Sequence, residues 1–140
     1  MRAKVPAALR REVWERAGAR CEYCGAAENS SPVSFHCEHI VAVQHGGETV
    51  AENLAVACPA CNFRKGTNLT GIDETSRDVV MVFHPRRDHW AEHFARHGGW
   101  IAPLTATGRA TSTLLDLNSP ERVSAREFEW SMEERRTWKL

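Results

Sequence analysis

Two cysteine pairs, each with two residues between its cysteines, constrain the fold of this chain most strongly. Cys21 and Cys24 form the first pair, and Cys58 and Cys61 form the second. Each C-x-x-C turn presents two thiolates to one ion, and two such turns complete a tetrahedral zinc site without an open position. The spacing therefore predicts one structural zinc ion. The alternative is four ordinary thiols without a metal.

Composition limits the class of protein more than its function. The 140 residues, 42% hydrophobic and 26% charged, are typical of about one soluble globular domain. No apolar run approaches the roughly 20 residues of a membrane span, and no apolar signal-peptide core follows the first residues. We therefore expect a cytoplasmic protein with reduced cysteines and no membrane partner. The 18 basic and 18 acidic residues cancel, so contacts with nucleic acid must depend on local charge.

The residues around the cysteine pairs predict two helices and two strands. The helices are expected at 6–17 and 59–65, and the second begins at a proline and ends at Gly66. The strands are expected at 33–37 and 54–57, which are rich in apolar and β-branched residues. This order predicts an α+β fold in which the cysteine pairs precede the first strand and begin the second helix.

The C-terminal half has less distinctive patterns. Strands are expected at 79–83 and 100–101, and helices at 88–94, 108–117 and 120–140. We expect these elements to pack against the first half.

Three histidines in that half, His89, His93 and His97, follow the spacing of one helical face. Such a face could hold a second metal ion, but no carboxylate or cysteine cluster accompanies it. The spacing therefore favours a packed or solvated face of the helix.

Five short segments of the first half stand in the order and spacing of a known motif. They are CEYCG at 21–25, FHCEHI at 35–40, GG at 46–47, ENL at 52–54 and CPACNFRKG at 58–66. Together they resemble the HNH endonucleases, the ββα-metal nuclease family, in its form with a four-cysteine zinc site. The resemblance covers about a third of the chain.

Part of the second half shares the resemblance. Residues 83–87, 90, 93–94 and 108–111 are similar to an extension that recurs in one group of uncharacterised bacterial HNH proteins. The resemblance implies a single HNH nuclease domain over 1–140, with a core at about 15–70 and a C-terminal extension at about 75–140.

The resemblance also implies roles for four polar residues. Glu38 and Asn62 would bind one catalytic divalent cation, Mg²⁺ or Mn²⁺, and His39 would be the general base that activates water. Asn53 would brace the loop and hold the backbone of His39. Two positions depart from the commonest pattern, since many relatives have proline where this chain has Ala42 and histidine where it has Asn62.

The chemistry of these side chains agrees with the implied roles. A neutral imidazole can take a proton from water near pH 7, and a hard cation prefers the oxygen ligands of carboxylate and carboxamide groups. This chemistry favours hydrolysis of a phosphodiester to a 5′-phosphate and a 3′-hydroxyl, and the resemblance implies DNA, expected to be double-stranded, as the substrate. His36 and His45 lie close by in the sequence and are less favoured as catalytic residues.

Two questions stay open at this level. Arg64 and Lys65 are candidate contacts for nucleic acid, although either could simply be a solvated end of the second helix. The alternative to a nuclease is a zinc-stabilised module that binds nucleic acid or protein without chemistry. The sequence indicates neither the oligomeric state nor a preferred DNA sequence.

Overall fold

The computed structural model describes residues 4–138, without the side chains of residue 30 and residues 134–138. Its α-helices are α1 (Ala7–Ala17), α2 (Pro59–Lys65), α3 (Trp90–His93), α4 (Ala106–Leu115) and α5 (Pro120–Trp138). Its strands are β1 (His36–His39), β2 (Leu54–Ala57), β3 (Thr70–Ile72), β4 (Val79–Met81), β5 (Phe94–His97) and β6 (Trp100–Pro103). This mixture of helices and short antiparallel strands confirms the α+β fold class. None of the described helices is both long and apolar enough to cross a membrane.

The first half forms a hairpin of two strands followed directly by a helix. In the antiparallel pair, Glu38 of β1 lies opposite Ala55 of β2. All four residues of β2 are buried, so the strand passes through the core. Helix α2 has Pro59 at its start and Gly66 at its C-cap, where φ is +51°. The predictions of β2 and α2 are therefore confirmed, together with the residues that begin and end the helix.

The first strand begins three residues later than predicted. Residues before His36 form a turn in which the Ser31 hydroxyl accepts a hydrogen bond from the amide of Val33 and donates one to its carbonyl. These local bonds occupy the backbone of Val33, and its side chain remains exposed. A β-branched residue therefore did not continue the strand, because its backbone was already paired within the turn.

The second half begins with a hairpin of β3 and β4 that packs on α4. Asp73, which follows β3, accepts two hydrogen bonds from the guanidinium of Arg109 on α4, at 2.7 and 3.0 Å. The same carboxylate accepts hydrogen bonds from the backbone amides of Thr75 and Ser76. One buried carboxylate thus closes the turn of the hairpin and joins it to the helix.

The helix predicted at 88–94 is much shorter, and the predicted face of three histidines is wrong. Only Trp90–His93 is helical, and His89 is its N-cap. Strand β5 begins at the buried Phe94, and His97 pairs with Trp100 across the hairpin. Pairing with β6 ends the helix, so the three histidines do not share a helical face.

The last helix, α5, begins at Pro120 as predicted, and the final two residues of the predicted helix lie outside the described part. Its buried Arg126 donates hydrogen bonds to the carbonyl oxygens of Gly99 and Leu117. The helix passes so close to the β5–β6 turn that a side chain at Gly99 would meet the Val123 carbonyl oxygen at 2.0 Å. These contacts hold α5 against the hairpin.

The edge of β2 that faces away from β1 is paired within the chain. The Glu22 carboxylate accepts a hydrogen bond from the Val56 amide at 2.8 Å, and the Glu22 amide donates to the Val56 carbonyl at 2.9 Å. The Leu54 carbonyl accepts from the guanidinium of Arg16, and the Leu54 amide donates to the Ala51 carbonyl. Both residues that alternate outward on this strand therefore have partners for their amide and carbonyl groups.

Candidate functional site

The four predicted zinc ligands come together in one buried cluster. The sulfur atoms of Cys21, Cys24, Cys58 and Cys61 all lie within 4.8 Å of one another, and the Cys24 and Cys58 sulfurs are 3.7 Å apart. A tetrahedral site with Zn–S bonds of about 2.3 Å requires sulfurs about 3.8 Å apart. The cluster is therefore compatible with zinc, in both its donor set and its size. Cys37 lies on β1 and is not one of the four.

The four buried thiols strongly affect one another's protonation. Burial raises the pKa of the Cys21 thiol well above its usual value, whereas hydrogen bonds from Cys21 and Cys58 lower the pKa of Cys24. Four neighbouring thiols in a dry environment cannot all ionise unless a positive ion compensates their charge. A bound metal ion would supply this compensation and would stabilise the fold.

Glu38 lies at the other end of α2 from the second cysteine pair, in a buried polar cluster. Its side chain is inside the protein, and the residue is only 7% exposed. The Tyr23 hydroxyl donates a hydrogen bond of 2.8 Å to Glu38 Oε1, and Lys65 Nζ lies 3.2 Å from the same oxygen. Burial and, to a lesser extent, the negative charge of Glu38 raise the pKa of Tyr23. The phenol therefore stays protonated and can donate a hydrogen bond.

Lys65 occupies a different environment from the one expected of a phosphate contact. The residue is 1% exposed, and its ammonium also donates a hydrogen bond of 2.8 Å to the Ile40 carbonyl. An ammonium with these partners faces the interior, so Lys65 is not the solvated helix end that the sequence allowed, and its burial disfavours the predicted contact with nucleic acid. Arg64, by contrast, is exposed and pairs with Asp116 at 3.4 Å.

His39 ends β1 and lies next to Glu38 in the chain, half-buried. Its Nε2 atom lies 2.9 Å from the hydroxyl of Thr49, which belongs to the loop between β1 and β2. This contact sets the orientation of the imidazole ring relative to the loop.

Asn53 joins the two ends of that loop. Its side-chain oxygen accepts a hydrogen bond from the Val41 amide, and its side-chain nitrogen donates to the carbonyls of Val41 and Glu48. The loop passes so close to Gly47 that a side chain there would meet the Val41 carbonyl oxygen at 1.8 Å and the side-chain nitrogen of Asn53 at 2.8 Å. Glycine is therefore required at position 47 for the loop to close around Asn53.

Asn62 lies on α2, directly after Cys61, and is half-buried. Its backbone takes part in the helix, where its amide donates to the Cys58 carbonyl. The structure gives its side chain no hydrogen bond to any described residue. The carboxamide oxygen thus has no described partner that a metal ion would have to displace.

The comparison with known families agrees with this geometry. Residues 21–68 match the family model of the HNH endonuclease. The matched segment contains both cysteine pairs, β1, β2 and α2, so the recognition made from the sequence is confirmed for this part of the chain. No curated protein and no solved structure matches the chain.

The HNH segment contains contacts that motif spacing did not identify. Tyr23 lies inside the first C-x-x-C turn, yet its hydroxyl reaches Glu38, and Lys65 reaches the same carboxylate from the end of α2. Thr49 reaches His39 from the loop. Each contact joins residues at least ten positions apart, and local sequence patterns do not report such pairs. The sequence patterns did not indicate that Tyr23 and Lys65 are buried.

Proposed function

We propose that this protein is a metal-dependent DNA endonuclease that hydrolyses phosphodiester bonds to a 5′-phosphate and a 3′-hydroxyl. The proposal rests on the match of residues 21–68 to the HNH endonuclease family. It is supported by adjacent placement of Glu38 and His39 on β1, which contacts the helix that carries Asn62. The function of the family is nucleic-acid cleavage, and we propose double-stranded DNA as the substrate.

We assign His39 as the general base. When Nε2 carries the proton and donates a hydrogen bond of 2.9 Å to the Thr49 hydroxyl, the basic lone pair is on Nδ1. A neutral imidazole in this state can accept a proton from water as the water oxygen attacks phosphorus. The bond from phosphorus to the 3′ oxygen breaks in the same displacement, and that oxygen finally takes up a proton.

We assign Glu38 and Asn62 as the residues that would hold a catalytic Mg²⁺ or Mn²⁺ ion. Carboxylate and carboxamide oxygens are the hard ligands that these cations prefer, so the donor set fits. A bound cation would neutralise charge on the phosphate and on the departing oxygen. Tyr23 and Lys65 both contact Oε1 of Glu38, so they fix the orientation in which the carboxylate is offered.

The second half of the chain supports the HNH segment by direct packing. The Trp90 indole donates a hydrogen bond of 2.9 Å to the Tyr23 carbonyl, and the ring of Phe83 lies against the ring of Tyr23. We therefore propose a single domain, with a core at about 15–70 and an extension at about 75–140. The exposed Arg64 is the remaining candidate for a phosphate contact. We propose a cytoplasmic location, which is supported by four cysteines at metal-ligand spacing rather than in a disulfide pattern.

A nicking assay on supercoiled plasmid tests the function. The wild type is compared with His39→Ala and with His45→Ala, a matched control because His45 is an exposed histidine of the same loop. We expect nicking with Mg²⁺ or Mn²⁺, none with EDTA, and a loss of about 10²- to 10⁴-fold for His39→Ala alone. DNA affinity and zinc content should not change.

Two results would contradict the proposal in different ways. Equal nicking by the wild type and His39→Ala removes His39 from the mechanism. DNA binding without nicking under any metal condition favours the alternative, a zinc-stabilised binding module.

A further inference from the structure

Arg122 joins the last helix to the cysteine cluster. One of its terminal nitrogens, Nη2, lies 2.9 Å from the sulfur of Cys61 and 3.8 Å from that of Cys58. The other, Nη1, donates to the carbonyl oxygens of Leu115 and Asp116 at the end of α4. One guanidinium thus connects the second C-x-x-C turn, the end of α4 and the start of α5.

The charge of the metal site gives this contact a chemical role. A zinc ion bound by four thiolates leaves about two negative charges on the complex. Buried negative charge is costly unless a cation or hydrogen-bond donors lie beside it. Arg122 supplies both, because its guanidinium is positive and directs N–H groups at two of the four sulfurs.

Helix α5 also reaches the first cysteine pair. The Glu129 carboxylate accepts hydrogen bonds from the Ala27 amide at 3.0 and 3.2 Å and pairs with Arg20 at 3.2 Å. The ring of Trp130 lies 3.3 Å from the position that a side chain at Gly25 would occupy. The helix therefore lies against both cysteine turns, and it contacts sulfur through Arg122.

We propose that Arg122 is a positioning residue of the zinc site, which retains the metal by hydrogen bonding to the thiolates of Cys61 and Cys58. Loss of these bonds leaves the charge of the thiolates less compensated and makes them better proton acceptors, so the metal dissociates faster. The same contacts couple zinc binding to the docking of α5. This inference requires zinc in the cysteine cluster but does not depend on nuclease activity.

Zinc release from the metal-loaded full chain tests the proposal. Release to a colorimetric chelator is timed for the wild type, Arg122→Gln, Arg122→Lys and the matched control Arg126→Gln. Arg126 is a buried arginine on the next turn of α5, and its described hydrogen bonds go to oxygen atoms of Gly99, Leu117 and Asn118. The cobalt-substituted proteins give a second readout, because the sulfur-to-cobalt absorption band reports hydrogen bonding to the thiolates.

We expect Arg122→Gln to release zinc about 10- to 100-fold faster and to shift the cobalt band. Arg122→Lys should keep the charge, but its single nitrogen cannot replace both the contacts with the sulfurs and those with the α4 carbonyls. It should therefore release zinc at an intermediate rate. Arg126→Gln should lower the melting temperature without changing the band. Equal acceleration by both glutamine variants would show that general destabilisation causes the loss. If Arg122→Gln fails to fold, wild-type release and an unshifted band in Arg122→Lys overturn the proposal.

Discussion

The two ends of helix α2 hold the two polar clusters of this protein, and the clusters are built in opposite ways. At the start of the helix, Cys58 and Cys61 join two further cysteines, and all four ligands are of one kind. At its end, Lys65 meets Glu38, and the partners differ in charge and come from different elements. The first cluster has the donor set and the size to be completed by one zinc ion, whereas the second is held by contacts between unlike side chains.

The segments that carry the cysteine cluster also supply two contacts of the Glu38 carboxylate. Tyr23, which lies between the first two cysteines, donates a hydrogen bond to Glu38, and Lys65 lies one turn beyond the last cysteine on α2. These two partners of Glu38 are therefore positioned by segments that also carry the cysteine cluster. A substitution in the cysteine cluster should therefore also disturb the position of Glu38. A substitution beside Glu38 should leave the cysteine cluster unchanged.

The largest expected effect comes from Cys58→Ser. Structural zinc contributes about 10–16 kcal/mol of binding free energy in small domains, so loss of one ligand should greatly reduce zinc content and lower the melting temperature. Nicking should fall too, because Tyr23 and Lys65 lose their fixed positions. Metal analysis and thermal unfolding measure both, with Cys37→Ser as the matched control that keeps zinc. Full zinc content in Cys58→Ser would show that Cys58 is not a required zinc ligand.

Lys65→Met tests whether damage at the second end stays local. Removal of one partner of a buried ion pair costs about 3–5 kcal/mol, because the remaining charge is left uncompensated. We expect this loss in the free energy of unfolding by urea, with zinc content unchanged in the folded protein. Arg64→Met, which removes an exposed pair on the same helix, should cost about 1 kcal/mol or less. Similar losses in the two variants would mean that the buried pair does not stabilise the fold.

Gly47→Ala disturbs the loop beside His39 and leaves both ends of α2 intact. The added methyl group would overlap the Val41 carbonyl and the Asn53 side chain, so we expect a loss of about 3 kcal/mol and weaker nicking. Gly46→Ala is the control, because that position has a φ of +88° but open space around it. It therefore measures backbone strain without overlap. Because Gly47 has no such φ, nicking that is weakened equally in both variants would show that the overlap at Gly47 is not the specific cause.

The smallest effect is expected from Tyr23→Phe, which removes one hydrogen bond between the two ends. Hydrogen bonds to charged groups contribute about 1.5–3 kcal/mol, and we expect the lower value because Lys65 still pairs with Glu38. Zinc content should be normal, and the nicking rate should fall more than zinc retention. A variant with wild-type stability and wild-type nicking would show that the link through Tyr23 carries no coupling.

The cysteine end of α2 was predictable from the sequence, and the Glu38 end was predictable only in part. Fixed spacing brings two cysteines to one ion, and Pro59 and Gly66 mark the ends of the helix in the local sequence. The motif indicated Glu38 and His39 as a functional pair. Their contacts with Tyr23, Lys65 and Thr49 depend on tertiary packing, which local patterns do not encode.

The second half shows the same limit in its secondary structure. Strand β6 and helix α4 were expected at nearly their observed positions, because their apolar residues and, for β6, the two preceding glycines give local signals. The helix predicted at 88–94 was shortened because Phe94 pairs with Pro103 in a hairpin. Hairpin pairing overrode a helical pattern that was itself consistent with the sequence.

The paired outer edge of β2 has a consequence for how molecules of this protein meet. An open strand edge offers amide and carbonyl groups to a strand from a second molecule, and this is a common route to exchange of strands and to fibrous aggregates. Here Glu22, Arg16 and Ala51 occupy those groups on Leu54 and Val56. The β1–β2 sheet therefore cannot grow by adding a strand at the edge of β2.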